Sequence, residues 1–260
     1  MYKILKYSFS DLIRSRWSYV YLLFYLVLGF VLLFLNNSLS KAIITLMNVI
    51  VVLTPMIGTI FGIMYFYSSR EFTELLLAQP VKRSTIFLGQ YLGIALSLSF
   101  SLVFGLGIPF VVYGLFQSAE IWNFALLLVV GAFLTFIFVA LAVNISLRNE
   151  NKVKGFGFAI LLWLFMAVIY DGIFLMSLVV FDDYPLDKVT LVASLFNPID
   201  LSRILILLKL DISALLGYTG ALFQKFLGEE WGMLVSLGTL VIWTVVPVWL
   251  LVRTAGKKDF

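Results

Sequence analysis

Six long apolar runs dominate this sequence and leave it few ways to fold. They occupy residues 18–35, 42–67, 86–116, 121–147, 155–181 and 231–252, and only the fifth carries a charged side chain, Asp171. Hydrocarbon offers no partner for backbone N–H and C=O groups, so a run of roughly 20 apolar residues crosses a membrane core of about 30 Å as a helix. The runs are continuous instead of alternating, which disfavours a transmembrane β-barrel. Several exceed the minimum length, and tilting, kinking or extension beyond the lipid is expected of them. Composition agrees: 62% of residues are hydrophobic and 12% charged, against about half and about a quarter in soluble domains. The expected fold is all-α and integral to the membrane, a single six-span domain over residues 1–260.

Lysine and arginine orient it. With six crossings, Lys3, Lys6, Arg14, Arg16, Arg70, Lys82, Arg83, Arg148, Lys152, Lys154, Arg253, Lys257 and Lys258 fall on one side. Lys41, Lys188, Arg203, Lys209 and Lys225 fall on the other, four of them in one long loop. The positive-inside rule makes the first side cytoplasmic, with both termini there. The net charge of +4 therefore reflects topology, and no nucleic-acid partner is expected. The first apolar run is too long for a cleavable signal and lacks a small-residue cleavage pattern, so it is expected to remain as an anchor.

The chain has neither cysteine nor histidine, which excludes disulfides, thiolate sites and imidazole ligands or relays within it. Its methionines (Met47, Met56, Met64, Met166, Met176, Met233) form no tight group and read as apolar packing. There is no Walker A pattern, no glycine fingerprint and no serine elbow. No catalytic residue, metal or cofactor is expected in this chain, and any ATP and Mg belong to a partner.

Residues 1–16 read as an amphipathic elbow, with Leu5, Phe9, Leu12 and Ile13 at helical spacing and Lys3, Lys6, Ser10, Asp11 and Arg14 between them. Residues 182–230 form a long extracytoplasmic loop able to hold its own helices. Asn197 and Pro198 mark a turn into a helix reaching Lys209. Residues 212–223 are too short for a span and are expected to lie on the surface or dip into it. Asp171, the intramembrane acid, has no cation in another span and reads as structural or near solvent.

The segment 68–85 carries the most information. It begins SSREFTELLLAQPVKRST and runs into the third span as IFLG. Helical spacing places Phe72, Leu75 and Leu76 on one face and Glu71 and Glu74 opposite; Pro80 ends the helix, Lys82 and Arg83 hold the turn at the surface, and Ser84 is placed to cap the next helix.

An acid, then LLLAQP, a basic pair and STIFLG resembles the segment between the second and third spans of ABC-2 type permeases. The likeness extends to the amphipathic N-terminus and the six-span layout. It implies a type V exporter-like transmembrane domain whose coupling helix docks on an ATPase, with Arg70, Glu71, Phe72, Glu74, Leu75, Leu76, Gln79, Pro80 and Arg83 as the coupling residues. The stretch NPIDLSRILILLKLDISALLGYTGALFQKFLG, residues 197–228, resembles the outer loop of the permeases that serve copper-site maturation of nitrous oxide reductase. That likeness implies a bacterial inner-membrane homodimer, two copies of a cytoplasmic ATPase and a periplasmic copper-handling β-helical protein. Its contacts would be Asn197, Pro198, Asp200, Arg203, Asp211, Gly217, Tyr218 and Gly220. Two other readings stand beside it: an ABC-2 exporter of a lipid, drug or polysaccharide, and a secondary transporter without an ATPase, which would show broken-helix symmetry and ion-binding groups in the membrane.

Overall fold

The computed structural model describes residues 2–36, 38–181, 187–210 and 217–257, and among them every regular element is helical. Helix α1 (Tyr2–Arg14) leads into α2 (Arg16–Asn36), followed by α3 (Leu39–Ser68), the short α4 (Arg70–Leu77), α5 (Arg83–Val112) and α6 (Ile121–Arg148). The fifth crossing is α7 (Lys152–Leu164), a π-helical turn (Phe165–Ile169) and α8 (Tyr170–Val180). Helices α9 (Asp187–Leu195), α10 (Pro198–Lys209) and α11 (Gly217–Lys257) complete the chain. Six of these stretches are long and apolar enough to cross a membrane. Helices α1 and α4, the α6–α7 turn and the end of α11 thus share one face, here the basic face; α9 and α10 lie toward the far face.

Lipid gives helices no hydrophobic drive to associate, so close backbone approach supplies much of the cohesion. Gly58 and Gly62 on α3 serve this purpose against α6: a Cβ added at Gly62 would lie 2.9 Å from the Ala142 Cβ. Gly89 and Gly93 on α5 do the same for α1, where a Cβ at Gly93 would come within 2.6 Å of the Ser8 Cβ. One edge of the elbow, with Ser8 and Leu12 buried, therefore packs on protein. Spans three and four are the most enclosed, 61% buried against 11% for the fifth. The fifth span stands at the perimeter. It starts at Lys152 because the Asn151 side chain accepts from the Val153 and Lys154 amides and caps the helix.

On the far face, α9 and α10 meet at 108° and form a hairpin whose tip is buried. Asn197 Nδ2 donates to the Met166 carbonyl at 2.9 Å, and Trp243 Nε1 donates to the Leu195 carbonyl at 3.0 Å. Met166 lies near the middle of the fifth span, so the hairpin descends to mid-bundle. Helix α10, twelve residues long, then returns outward over about 18 Å. Among the described residues α9–α10 is a dipping element that the length of the loop did not announce. Asp211 and residues 212–216 lie outside the described residues. From Gly217 the chain is helical, so Gly217, Tyr218 and Gly220, named above as partner contacts, belong to the start of α11, with Gly220 buried. Helix α11 continues into the last span through one break at Gly228, whose φ of 71° is a conformation glycine adopts readily.

Candidate functional site

Helix α4 projects from the basic face, and its two sides do different work. Inward, Thr73 is buried and receives a 2.7 Å hydrogen bond from Gln90 Nε2 on α5. Phe72 stacks on Tyr7 of α1, ring centroids 4.5 Å apart. Outward, Leu75 is 69% exposed and shares its face with the exposed Glu71, Glu74 and Ala78, as the i, i+3, i+4, i+7 spacing of these positions requires. The expected grouping of Phe72, Leu75 and Leu76 opposite the acids is therefore corrected. With Thr73 anchored to α5, Phe72 turns to the elbow, Leu76 becomes half-buried, and Leu75 stands among the acids. Arg70 Nε bonds Glu74 Oε1 at 3.0 Å, an exposed pair that stabilises the helix little. Gln79 and Pro80 are exposed in the turn after α4, and Arg83 is exposed at the start of α5. Ser84 lies inside the first turn of α5; Lys82 holds the cap position without a side-chain bond.

Two sets of bonds tie α4 and the end of α3 to the rest of the bundle. Hydrogen bonds cross the α3–α4 junction, from the Ser69 amide to the Tyr65 carbonyl and from the Thr73 amide to the Ser69 carbonyl, each 2.9 Å, so the backbone hydrogen bonding runs on from one helix into the next. At the end of α3, the Tyr67 hydroxyl donates to the Asn149 carbonyl at 2.7 Å and ties α3 to the α6–α7 turn. Gly155 makes room for that phenol, since a Cβ there would overlap the Tyr67 hydroxyl. Thr73, Gln90, Tyr7, Tyr67 and Gly155 are functional candidates that sequence reasoning missed. Gln90 had a signal, an amide inside an apolar run; the other four read as ordinary helix residues. Replacing Gly155 with alanine should break the latch and lower coupled function several-fold at unchanged membrane insertion. Tyr67→Phe should cost less, about the 1 kcal/mol of one hydrogen bond. Comparing ATP turnover with completed function in both variants checks this.

The far face holds a charged cluster. Arg203 Nη1 on α10 lies 3.3 Å from Asp171 Oδ2 on α8 and 3.6 Å from Asp200 Oδ1 on its own helix. Asn197 Nδ2 also reaches Asp200 Oδ2 at 3.1 Å, while Asn197 Oδ1 caps α10 through the Ile199 amide. The Tyr170 hydroxyl donates to the Ala193 carbonyl at 2.6 Å, tying the fifth span to α9. Asp171 is thus paired, and the cation sits on a dipping helix, not in another span. Asn197 and Pro198, expected to touch a partner, are buried at the hairpin tip and offer no surface. Asp200 and Arg203 are partly exposed, with their polar ends engaged within the hairpin.

Known proteins resemble this chain along most of its sequence. A family model described as ABC-2 family transporter protein matches residues 37–259, from the second span through the last. The chain is also similar to a protein of Stutzerimonas stutzeri named probable ABC transporter permease protein NosY, 25% identical over 272 aligned positions that cover 96% of this chain and 93% of that one. The match takes in α4, the latch and the hairpin alike. With six spans and an all-helical bundle, the chain belongs to the ABC-2 family of transporter proteins and is a membrane permease subunit.

Proposed function

We propose that this permease subunit couples ATP hydrolysis by a separate cytoplasmic ATPase to movement of the α9–α10 hairpin at the far face. One observation carries the proposal. Helix α4 keeps an exposed leucine between two acids at its tip while its inner side is fixed to α1 and α5, which is the form of a docking lever. A thrust on α4 passes through the continuous α3–α4 backbone and the Tyr67 latch to the fifth span, whose outer half is bonded to the hairpin. The bundle is then biased between two arrangements by nucleotide-dependent contacts made in the partner.

In the full assembly two copies of this chain pair with two ATPase subunits in a bacterial inner membrane, and the hairpin face serves a periplasmic copper-handling β-helical protein during copper-site maturation of nitrous oxide reductase. Support for that assignment is the likeness of residues 197–228 and the 25% identity to the NosY permease. ATP and Mg are bound by the ATPase. The periplasmic partner meets the exposed rim of the loop, since Asn197 and Pro198 are inside.

Purification of the tagged chain from its native membrane should recover an ATPase and a periplasmic partner; recovery of neither would remove the proposal. Orientation is checked separately, because the chain has no cysteine of its own. On intact spheroplasts an impermeant thiol reagent should label Lys188→Cys and spare Lys152→Cys. The reverse pattern would invert the topology.

A further inference from the structure

A cleft of about 360 Å³ opens sideways on the bundle between the first turns of α6, the outward end of α10 and α11. Its walls are apolar, with Val129 from α6, Leu205 from α10 and Met233 and Leu237 from α11. Trp122 stands at its rim, 73% exposed, at the outer end of a span, where the amphipathic indole favours the headgroup level. From Trp122 to Val129 the cleft runs about 10 Å along α6, within one leaflet of a core about 30 Å thick. The polar end is Lys209. It is the last residue of α10, lines the cleft, is exposed, and takes part in none of the ion pairs among the described residues. Glu120, the acid nearest Trp122 in sequence, is held by the Ser40 hydroxyl and the Asn123 amide at 2.7 and 2.8 Å.

A cation at headgroup level above an apolar trough open to hydrocarbon is complementary to one class of molecule. We propose that this cleft binds a single anionic phospholipid of the far-face leaflet, its phosphate on Lys209 Nζ and one acyl chain along Val129, Met233 and Leu237. The volume of about 360 Å³ falls within the roughly 300–1,000 Å³ of small-molecule sites. Lysine stems lie along apolar surface while the ammonium stays at the polar level. A chain held there packs α10 against both α6 and α11 and so steadies the hairpin that the coupling route moves.

The test uses the full chain purified in neutral detergent, incubated with phosphatidylglycerol or phosphatidylcholine of identical acyl chains, with retained lipid read by native mass spectrometry. Phosphatidylglycerol should be retained in preference. Lys209→Gln should cut its retention about fivefold, the effect of one cation at an anionic headgroup, and leave phosphatidylcholine unchanged. Val129→Trp, which fills the trough from a wall already half-exposed, should lower retention of both lipids. Equal phosphatidylglycerol retention in Lys209→Gln, or undiminished retention in Val129→Trp, overturns the proposal. So does stabilisation of the chain by inorganic phosphate alone, which would mark an ion site. A change of oligomeric state in Val129→Trp would mark the cleft as a seam between copies and overturn it as well.

Discussion

Replacing Leu75 with aspartate should release the cytoplasmic ATPase from the membrane and abolish function, with the chain still inserted at normal level. Leu75 is 69% exposed and makes no core contact, so its loss leaves the bundle intact. A docked helix owes most of its affinity to a few buried apolar anchors, and losing one costs about 2 kcal/mol or more, roughly thirtyfold in binding. Aspartate adds a third acid beside Glu71 and Glu74, which deepens the loss if the docking cleft is apolar. Glu71→Gln, on the rim of the same face, should change mainly the association rate and its salt dependence. Phe72→Ala is the informative contrast. Its ring stacks on Tyr7, so the change should loosen α4 from α1 and weaken coupling while much of the ATPase still copurifies. The measurement is ATPase recovery with tagged permease at two salt concentrations. Undiminished recovery with Leu75→Asp would mean that α4 rests on lipid headgroups and is not the docking element.

Arg203→Leu should be the most damaging single change on the far face. One guanidinium serves two carboxylates, Asp171 and Asp200, and removing it leaves two acids facing each other where solvent is scarce. Breaking a fully buried pair costs about 3–5 kcal/mol; the side chains here are 18–36% exposed, so about 2 kcal/mol is expected after screening. The hairpin should detach from the fifth span, seen as protease cleavage within residues 187–209 and as a lower melting temperature in detergent. Asp171→Asn has the opposite character. It leaves Arg203 paired with Asp200, removes the surplus negative charge and should keep most function. The double variant Asp171→Asn with Arg203→Gln should recover much of the lost stability, which separates charge imbalance from simple loss of packing. A hairpin as resistant in Arg203→Leu as in the parent chain would show that the bonds of Asn197, Tyr170 and Trp243 hold it without Arg203.

Asp171 shows where the limits of legibility lie. That an acid within a span must face protein or water follows from the cost of a charge in lipid, roughly 2.5–3.5 kcal/mol at a helix centre. Which group meets it does not, because Arg203 is separated from it by more than thirty residues and lies on a helix that sequence length alone assigns to a surface loop. Short helices such as α9 and α10 do not register as membrane elements, since neither can cross. Asn197 illustrates the same gap. Its place before Pro198 marks a turn into a helix from sequence, and the structure shows Asn197 capping that helix and bonded to Met166 at mid-bundle, where a surface contact had been expected.

On the basic face, the amphipathic character of residues 70–77 was legible from spacing, and its faces were not. Helical spacing groups Phe72, Leu75 and Leu76 as one docking face opposite the acids. Here Thr73 is the buried one, because Gln90 on α5 supplies its hydrogen bond, and Leu75 is left outside.

Taken alone, the sequence determined what depends on solvent and backbone: the number of spans, their helical form, the side on which basic residues gather, and the chemistry ruled out by the lack of cysteine and histidine. Each follows from local physics, since a backbone in hydrocarbon must pair with itself and lysine and arginine resist crossing. Tertiary structure alone decided which residues meet: the dip of α9–α10, the sharing of Arg203 by Asp171 and Asp200, the Tyr67 latch over Gly155, and the exposure of Leu75. Those depend on helices distant in sequence approaching closely, and inside a membrane that approach is selected by small residues and a few polar bonds, because an apolar surface facing lipid and one facing protein are written with the same side chains.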